Sequence, residues 1–169
     1  IGCVEPAPQD NAFACTSGND VSLAAVLEMT LNNGRLGILG RRIGPRTGDA
    51  NAFDSFEKLW AAFHRQLRFA VTHIARCVNA KDQAFARAFP NPFVSATLQG
   101  CIDNATDMTS GGAYYNFASI SGRGLATVAD SLSAIKTFVY EQQKYPMEEM
   151  CEALRTNFRG RDSMRQQLW

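Results

Sequence analysis

The sequence holds no Cys-x-x-Cys pair, only two histidines, no marked excess of either charge and no apolar run longer than a few residues. Each absence removes a class of function. The five cysteines, Cys3, Cys15, Cys77, Cys101 and Cys151, are odd in number and widely spaced, which indicates neither a zinc knuckle nor a disulfide framework. His64 and His73 stand nine positions apart in one predicted helix, so they point to opposite faces and make no metal pair. His73 and Cys77 share a face, but no complementary pair accompanies them, and packing is the expected role. A formal net charge of +1 gives no electrostatic footprint for nucleic acid or an anionic membrane. No segment approaches a membrane span, and no signal-peptide pattern is visible. At 46% hydrophobic and 20% charged, the chain has the make-up of a globular domain with a core. Its free thiols fit the reducing cytoplasm.

Periodicity and punctuation set out the elements. Residues 1–19, rich in Pro, Asn, Gly and Ser, read as a loop. A first helix is expected from about Asp20 to Asn32, with Leu23, Val26, Leu27 and Leu31 as its apolar stripe, Asn19 or Asp20 as its cap and Gly34 as its stop. Ile38 to Ile43 suggests a short hairpin in a glycine-punctuated stretch that carries Arg35, Arg41, Arg42 and Arg46. A long helix follows from Ser55 to near Ala88, with Phe56, Leu59, Trp60, Phe63, Leu67, Val71, Ile74 and Val78 at helical spacing. Asn91-Pro92 opens another helix, expected to reach about Asn104. Ala113 to Ile120 supplies one short strand. Leu125 to Gln142 and the segment from Pro146 are amphipathic helices, and Asp162 to Leu168 is helix-like up to the last residue. The fold class is α/β, predominantly helical with little strand.

Basic and glycine-rich stretches offer little chemistry. Arg41-Arg42-Ile43-Gly44-Pro45-Arg46 has neither interleaved aromatics nor phosphate-loop spacing, so a solvated loop is expected. Gly122-Arg123-Gly124 reads as a tight strand-to-helix turn. The opening Gly2-Cys3-Val4-Glu5-Pro6 is different. In extended chain, residues i and i+2 share a side, so the Cys3 thiol and Glu5 carboxyl can face one substrate. Pro6 biases Glu5 toward that extended form. A hydrolytic thiolate would need a base such as histidine, and neither histidine is placed for it. Hydrogen abstraction by a sulfur radical needs no thiolate. The carboxylate would then serve as the general base for a hydroxyl made acidic by an adjacent radical. A loop cysteine beside a surface glutamate is the plain alternative.

Gly2-Cys3-Val4-Glu5-Pro6 is joined by Val26-Leu27-Glu28-Met29-Thr30-Leu31-Asn32-Asn33-Gly34 and Ile43-Gly44-Pro45-Arg46-Thr47-Gly48-Asp49. Pro92-Phe93-Val94-Ser95-Ala96, Tyr115-Asn116-Phe117 and Ala129-Asp130-Ser131-Leu132-Ser133-Ala134-Ile135-Lys136 follow in order. Together they resemble the glycyl radical enzymes, the pyruvate formate-lyase-like superfamily, over nearly the whole chain. The resemblance implies part of a ten-stranded α/β barrel wrapped by helices, with the cysteine on a central loop. It implies Cys3 as the thiyl-radical residue and Glu5 as general base, with Tyr115 and Asn116 near the substrate cavity.

The single cysteine at this position differs from the adjacent pair of a pyruvate formate-lyase proper. Glu5 separates the chain from alkylsuccinate synthases. Gly-Cys-Val-Glu-Pro is similar to the eliminating branch, which removes water, an amine or sulfite from a small hydroxylated substrate. Arylacetate decarboxylases also pair Cys with Glu and remain an alternative, as do a formate C-acetyltransferase-like enzyme and a non-catalytic helical interaction domain or remnant. Ala7 to Asn19 departs from the glycine- and lysine-containing sequence expected after the motif, so no substrate is named.

The family's radical resides on a glycine in an Arg-Val-x-Gly-aromatic motif, and none of the 13 glycines has that context. Residues 1–169 are therefore expected to be the catalytic-cysteine portion of a larger domain, inactive alone. No cofactor would be bound directly and no metal held. A radical SAM activating enzyme with a 4Fe-4S cluster would install the glycyl radical elsewhere. The other expected partners are the small-molecule substrate, the rest of the barrel, the C-terminal glycyl radical domain and a second copy in a homodimer. The expected setting is an anaerobic bacterial cytoplasm, free or within a microcompartment.

Overall fold

The computed structural model describes residues 8–15 and 19–168. In chain order the elements are β1 (Ala12–Cys15), β2 (Asp20–Ser22), α1 (Leu23–Leu31), β3 (Arg35–Leu36), β4 (Arg41–Arg42), α2 (Phe56–Ala88), α3 (Pro92–Ser95), β5 (Tyr115–Ala118), β6 (Ser121–Arg123), α4 (Leu125–Ile135), α5 (Met147–Arg155) and α6 (Asp162–Gln167). Helix dominates and the strands are short, as the sequence pattern requires. The chain divides into two compact units, residues 1–21 with 71–122, and residues 22–70 with 123–169. The 33 residues of α2 span roughly 50 Å at the standard rise and contribute to both.

In the first unit β1 and β5 run parallel, with Ala12 opposite Tyr115 and Cys15 opposite Ala118. The expected loop over residues 1–19 therefore contains a strand. Its alanines and polar neighbours carry no strong β signal, and the partner comes from a hundred residues away. The helix expected from Pro92 to Asn104 is also shorter, ending at Ser95. Beyond it the bonds tighten to i→i+3 turns, Thr97 to Val94 and Leu98 to Ser95, and the Gln99 N–H is given to Asp10 O at 2.7 Å instead. A single contact with another segment thus diverts the backbone from its helical path.

The second unit buries Val26, Leu27 and Met29 of α1, Leu59, Ala62 and Phe63 of α2, Val128, Leu132 and Ile135 of α4, and Met147, Met150 and Ala153 of α5. Helix α1 starts three residues later than expected, because Asp20 to Ser22 form β2 and the Ser22 hydroxyl caps Ala25 N at 3.3 Å. The expected hairpin forms as β3 and β4, antiparallel, with Arg35 opposite Arg42. Helix α4 gives way at Lys136 to a π-helical turn over 136–141. Tyr140 pins that turn by donating to Phe53 O at 3.1 Å.

The buried face of α2 in this unit differs from the apolar stripe. Leu59, Ala62, Phe63 and Gln66 are inside, while Trp60 is 43% exposed. Gln66 is fully buried because its Nε2 donates to Pro45 O and to Thr47 Oγ1, both at 2.9 Å. Its Oε1 occupies the space a side chain on Gly44 would need. Asn33 Oδ1 accepts from Thr47 N at 3.0 Å and Gly48 N at 3.2 Å. Gly34, at φ +83°, packs where a Cβ would meet Gly44 O and Pro45 O at 2.5 Å. The loop from Gly44 to Asp49 is therefore a fastened structure, and of the stretch Arg41 to Arg46 expected as a solvated loop, Arg41 and Arg46 are exposed while Gly44 is buried.

Candidate active site

Cys3 and Glu5 lie outside the described residues. What is described is the scaffold that follows them. The parallel pairing places Asn11 and the turn before Tyr115 at the same end of the ladder, where Tyr115 N donates to Asn11 O at 3.0 Å.

Tyr115 and Asn116 sit on β5, whose four residues are all exposed. Successive strand residues point to opposite faces, so the two side chains leave β5 on opposite sides. Tyr115 stacks with Phe117 at a ring separation of 6.0 Å and an interplanar angle of 4°. Asn116 turns its Nδ2 back to Ala113 O at 2.8 Å and Gly111 O at 3.2 Å. Its amide nitrogen thus holds the turn.

A polar hub supports that turn. Asp107 accepts from Asn91 N, Ser95 Oγ, Thr109 N and Thr109 Oγ1, all between 2.7 and 2.9 Å. The Thr109 hydroxyl bond is the largest of the effects that hold its carboxyl below the usual carboxylate range. Buried Cys101 lies beside this hub, and burial, reinforced by the Asp107 charge, pushes its thiol up. A protonated, enclosed thiol is a packing group and a poor nucleophile. The hub escaped the sequence reading, although Asn91-Pro92 was recognised as a cap. Asp107 followed by Thr109 was the local signal.

Among the described residues no group of three or more His, Cys, Asp or Glu could hold a metal ion. His64 packs edge-on against Trp60 at 4.5 Å. No helix among the described residues is long and apolar enough to cross a membrane.

The family model for "pyruvate formate lyase-like" proteins matches residues 1–169. The chain belongs to that family. Within the pyruvate formate lyase-like family, it is 31% identical over 97% of its length to a (2S)-3-sulfopropanediol dehydratase of Klebsiella oxytoca, covering 20% of that protein. It is 34% identical over 96% of its length to a trans-4-hydroxy-L-proline dehydratase of Clostridioides difficile, again covering 20%. The solved structure of a glycyl radical enzyme from Archaeoglobus fulgidus superposes on 98% of the chain with a TM-score of 0.87 at 32% identity, using 21% of that protein. The mostly helical α/β fold with its parallel strand pair is thus the fold of a pyruvate formate lyase-like barrel segment. The chain spans about a fifth of the length of the curated relatives it matches.

Proposed function

We propose that this chain is the catalytic-cysteine portion of a glycyl radical eliminase, with Cys3 as the residue that takes hydrogen from substrate and Glu5 as the base. The observation that carries the reading is the Cys3-Val4-Glu5 pattern at the head of a chain that belongs to the family. The names of its relatives, among them dehydratases and sulfite-lyases, support elimination over other family reactions.

A protein glycyl radical elsewhere, installed by a radical SAM activating enzyme with a 4Fe-4S cluster, would supply the unpaired electron. Cys3 Sγ removes a hydrogen atom from a hydroxyl-bearing carbon: the C–H bond breaks, an S–H bond forms and the unpaired electron stays on carbon. That centre acidifies its hydroxyl, and Glu5 takes the proton. The leaving group then departs from the neighbouring carbon as sulfite, or takes the proton back from Glu5 to depart as water or amine. Return of the hydrogen from Cys3 to the product radical restores the sulfur radical. The remaining barrel, the glycyl radical domain and a second copy complete the assembly, which would work in an anaerobic bacterial cytoplasm.

The test uses the full-length enzyme, activated anaerobically. Cys3→Ala should abolish turnover while the glycyl radical signal in electron paramagnetic resonance persists. Turnover in that variant removes Cys3 from the mechanism. Glu5→Gln should lower the elimination rate by roughly 10²–10⁴-fold, the contribution of a positioned base. An unchanged rate removes Glu5.

A further inference from the structure

The β3–β4 hairpin places like charges where a folded protein avoids them. Arg35 stands directly opposite Arg42 in the antiparallel register, and directly opposed residues share a face with Cβ atoms about 5 Å apart. Like charges in that position oppose pairing. Among the described residues, no carboxylate forms an ion pair with Arg35, Arg41, Arg42 or Arg46. The Glu28 carboxylate is engaged at the hairpin tip, where its Oε1 accepts from Gly37 N at 2.7 Å. Burial adds to the cost at Arg42. Arg42 Nε is buried and has no hydrogen-bond partner. A buried guanidinium N–H without an acceptor is unfavourable.

One ligand relieves the like-charge opposition, though not the Nε of Arg42, which is closed to solvent: an oxyanion, since guanidinium groups grip carboxylate, sulfate and phosphate oxygens through paired N–H donors. We infer that Arg35 and Arg42 form an oxyanion-binding site on this hairpin. The site is preformed. Ile43 N and Gly44 N both donate to Gly34 O, at 2.8 and 3.0 Å, closing the hairpin base before any ligand arrives. Its register supplies an internal control. Arg41 opposes Leu36 and, by strand alternation, presents to the other face. The ligand is either a free inorganic oxyanion or a carboxylate carried by another protein.

The experiment is hydrogen–deuterium exchange of the full-length protein, following peptides over residues 34–44 in sulfate, phosphate or acetate against chloride at equal ionic strength. Binding should slow hairpin exchange saturably, by roughly tenfold at about ten times the dissociation constant. Arg35→Gln and Arg42→Gln should each lose the effect, and Arg41→Gln should keep it. Arg35→Glu should slow exchange without any added anion, because it converts the repulsive pair to an attractive one. A preference for sulfate or phosphate assigns the site to a free oxyanion, whereas equal response to acetate assigns it to a protein carboxylate. No slowing beyond chloride overturns the inference. So does an effect that Arg41→Gln abolishes as fully as Arg35→Gln, since that is screening of a basic surface.

Discussion

At the residue scale, the most informative side chain after Cys3 and Glu5 is Gln66. A polar residue at a fully buried helical position is costly unless its groups are satisfied. Here the Nε2 donor is satisfied twice, by Pro45 O and Thr47 Oγ1, while Oε1 is buried without a partner, and the amide ties α2 to the Gly44-to-Asp49 loop. Gln66→Leu removes those bonds and leaves a buried carbonyl unpaired, at a cost of about 1–3 kcal/mol. Gly44→Ala should destabilise as well, because the new methyl needs the space Gln66 Oε1 occupies. Denaturant unfolding of both variants checks this. If Gln66→Leu unfolds at the wild-type midpoint, the loop is held by something else. Thiol reactivity gives a second residue-scale outcome. Of the three described thiols, exposed Cys77 should alkylate first, half-buried Cys151 later and buried Cys101 last, since burial also pushes the latter two thiols up. Peptide mass spectrometry after timed iodoacetamide treatment reads the order, and Cys101 keeping pace with Cys77 would contradict the enclosed hub.

At the element scale, the π-helical turn over 136–141 marks where α4 is redirected. Six-residue π segments are rare and persist where a tertiary contact outweighs the ordinary bond pattern. Tyr140 is that contact, bonded to Phe53 O and edge-on to Phe56 at 6.2 Å. Burial first, then the charges of Asp54, Cys151 and Glu57, push the Tyr140 hydroxyl up to about 12. The folded value exceeds the ordinary tyrosine value of about 10. Its contribution to stability is therefore full below pH ~10 and lost as pH rises toward about 12. Tyr140→Phe should cost about 1 kcal/mol at neutral pH through the lost hydrogen bond. It should also flatten the fall in stability across that alkaline window. Urea unfolding at several pH values tests this, and an identical alkaline slope in the variant would exclude Tyr140 as its source.

At the scale of the whole molecule, the described chain leaves large apolar residues in the open. In the first unit Phe93 is 84% exposed and Phe89 65%, and both Tyr115 and Phe117 stand out from β5. Parallel strands are normally covered on both faces. Relatives five times as long have the material to cover them, and the proposed barrel would do so. The 169 residues alone should self-associate or bind hydrophobic dyes, as exposed apolar patches do. Light scattering of the isolated chain tests this; a monodisperse monomer that binds no dye would mean the faces are stable in water.

The sequence by itself determined the helical periodicity, the stop at Gly34, the reach of α2 from Phe56 to Ala88 and the family to which the motifs belong. These are local properties, set by side-chain spacing and backbone restriction over a few residues. Only the tertiary structure decided that residues 12–15 pair with 115–118, that α3 stops at Ser95, and that Gln66 is core while Trp60 is surface. Each depends on a partner distant in sequence: Tyr115 for Ala12, Asp10 O for Gln99 N, the Pro45 carbonyl for Gln66. A local pattern records that a residue is polar or apolar. It does not record which distant backbone group will need its hydrogen bond.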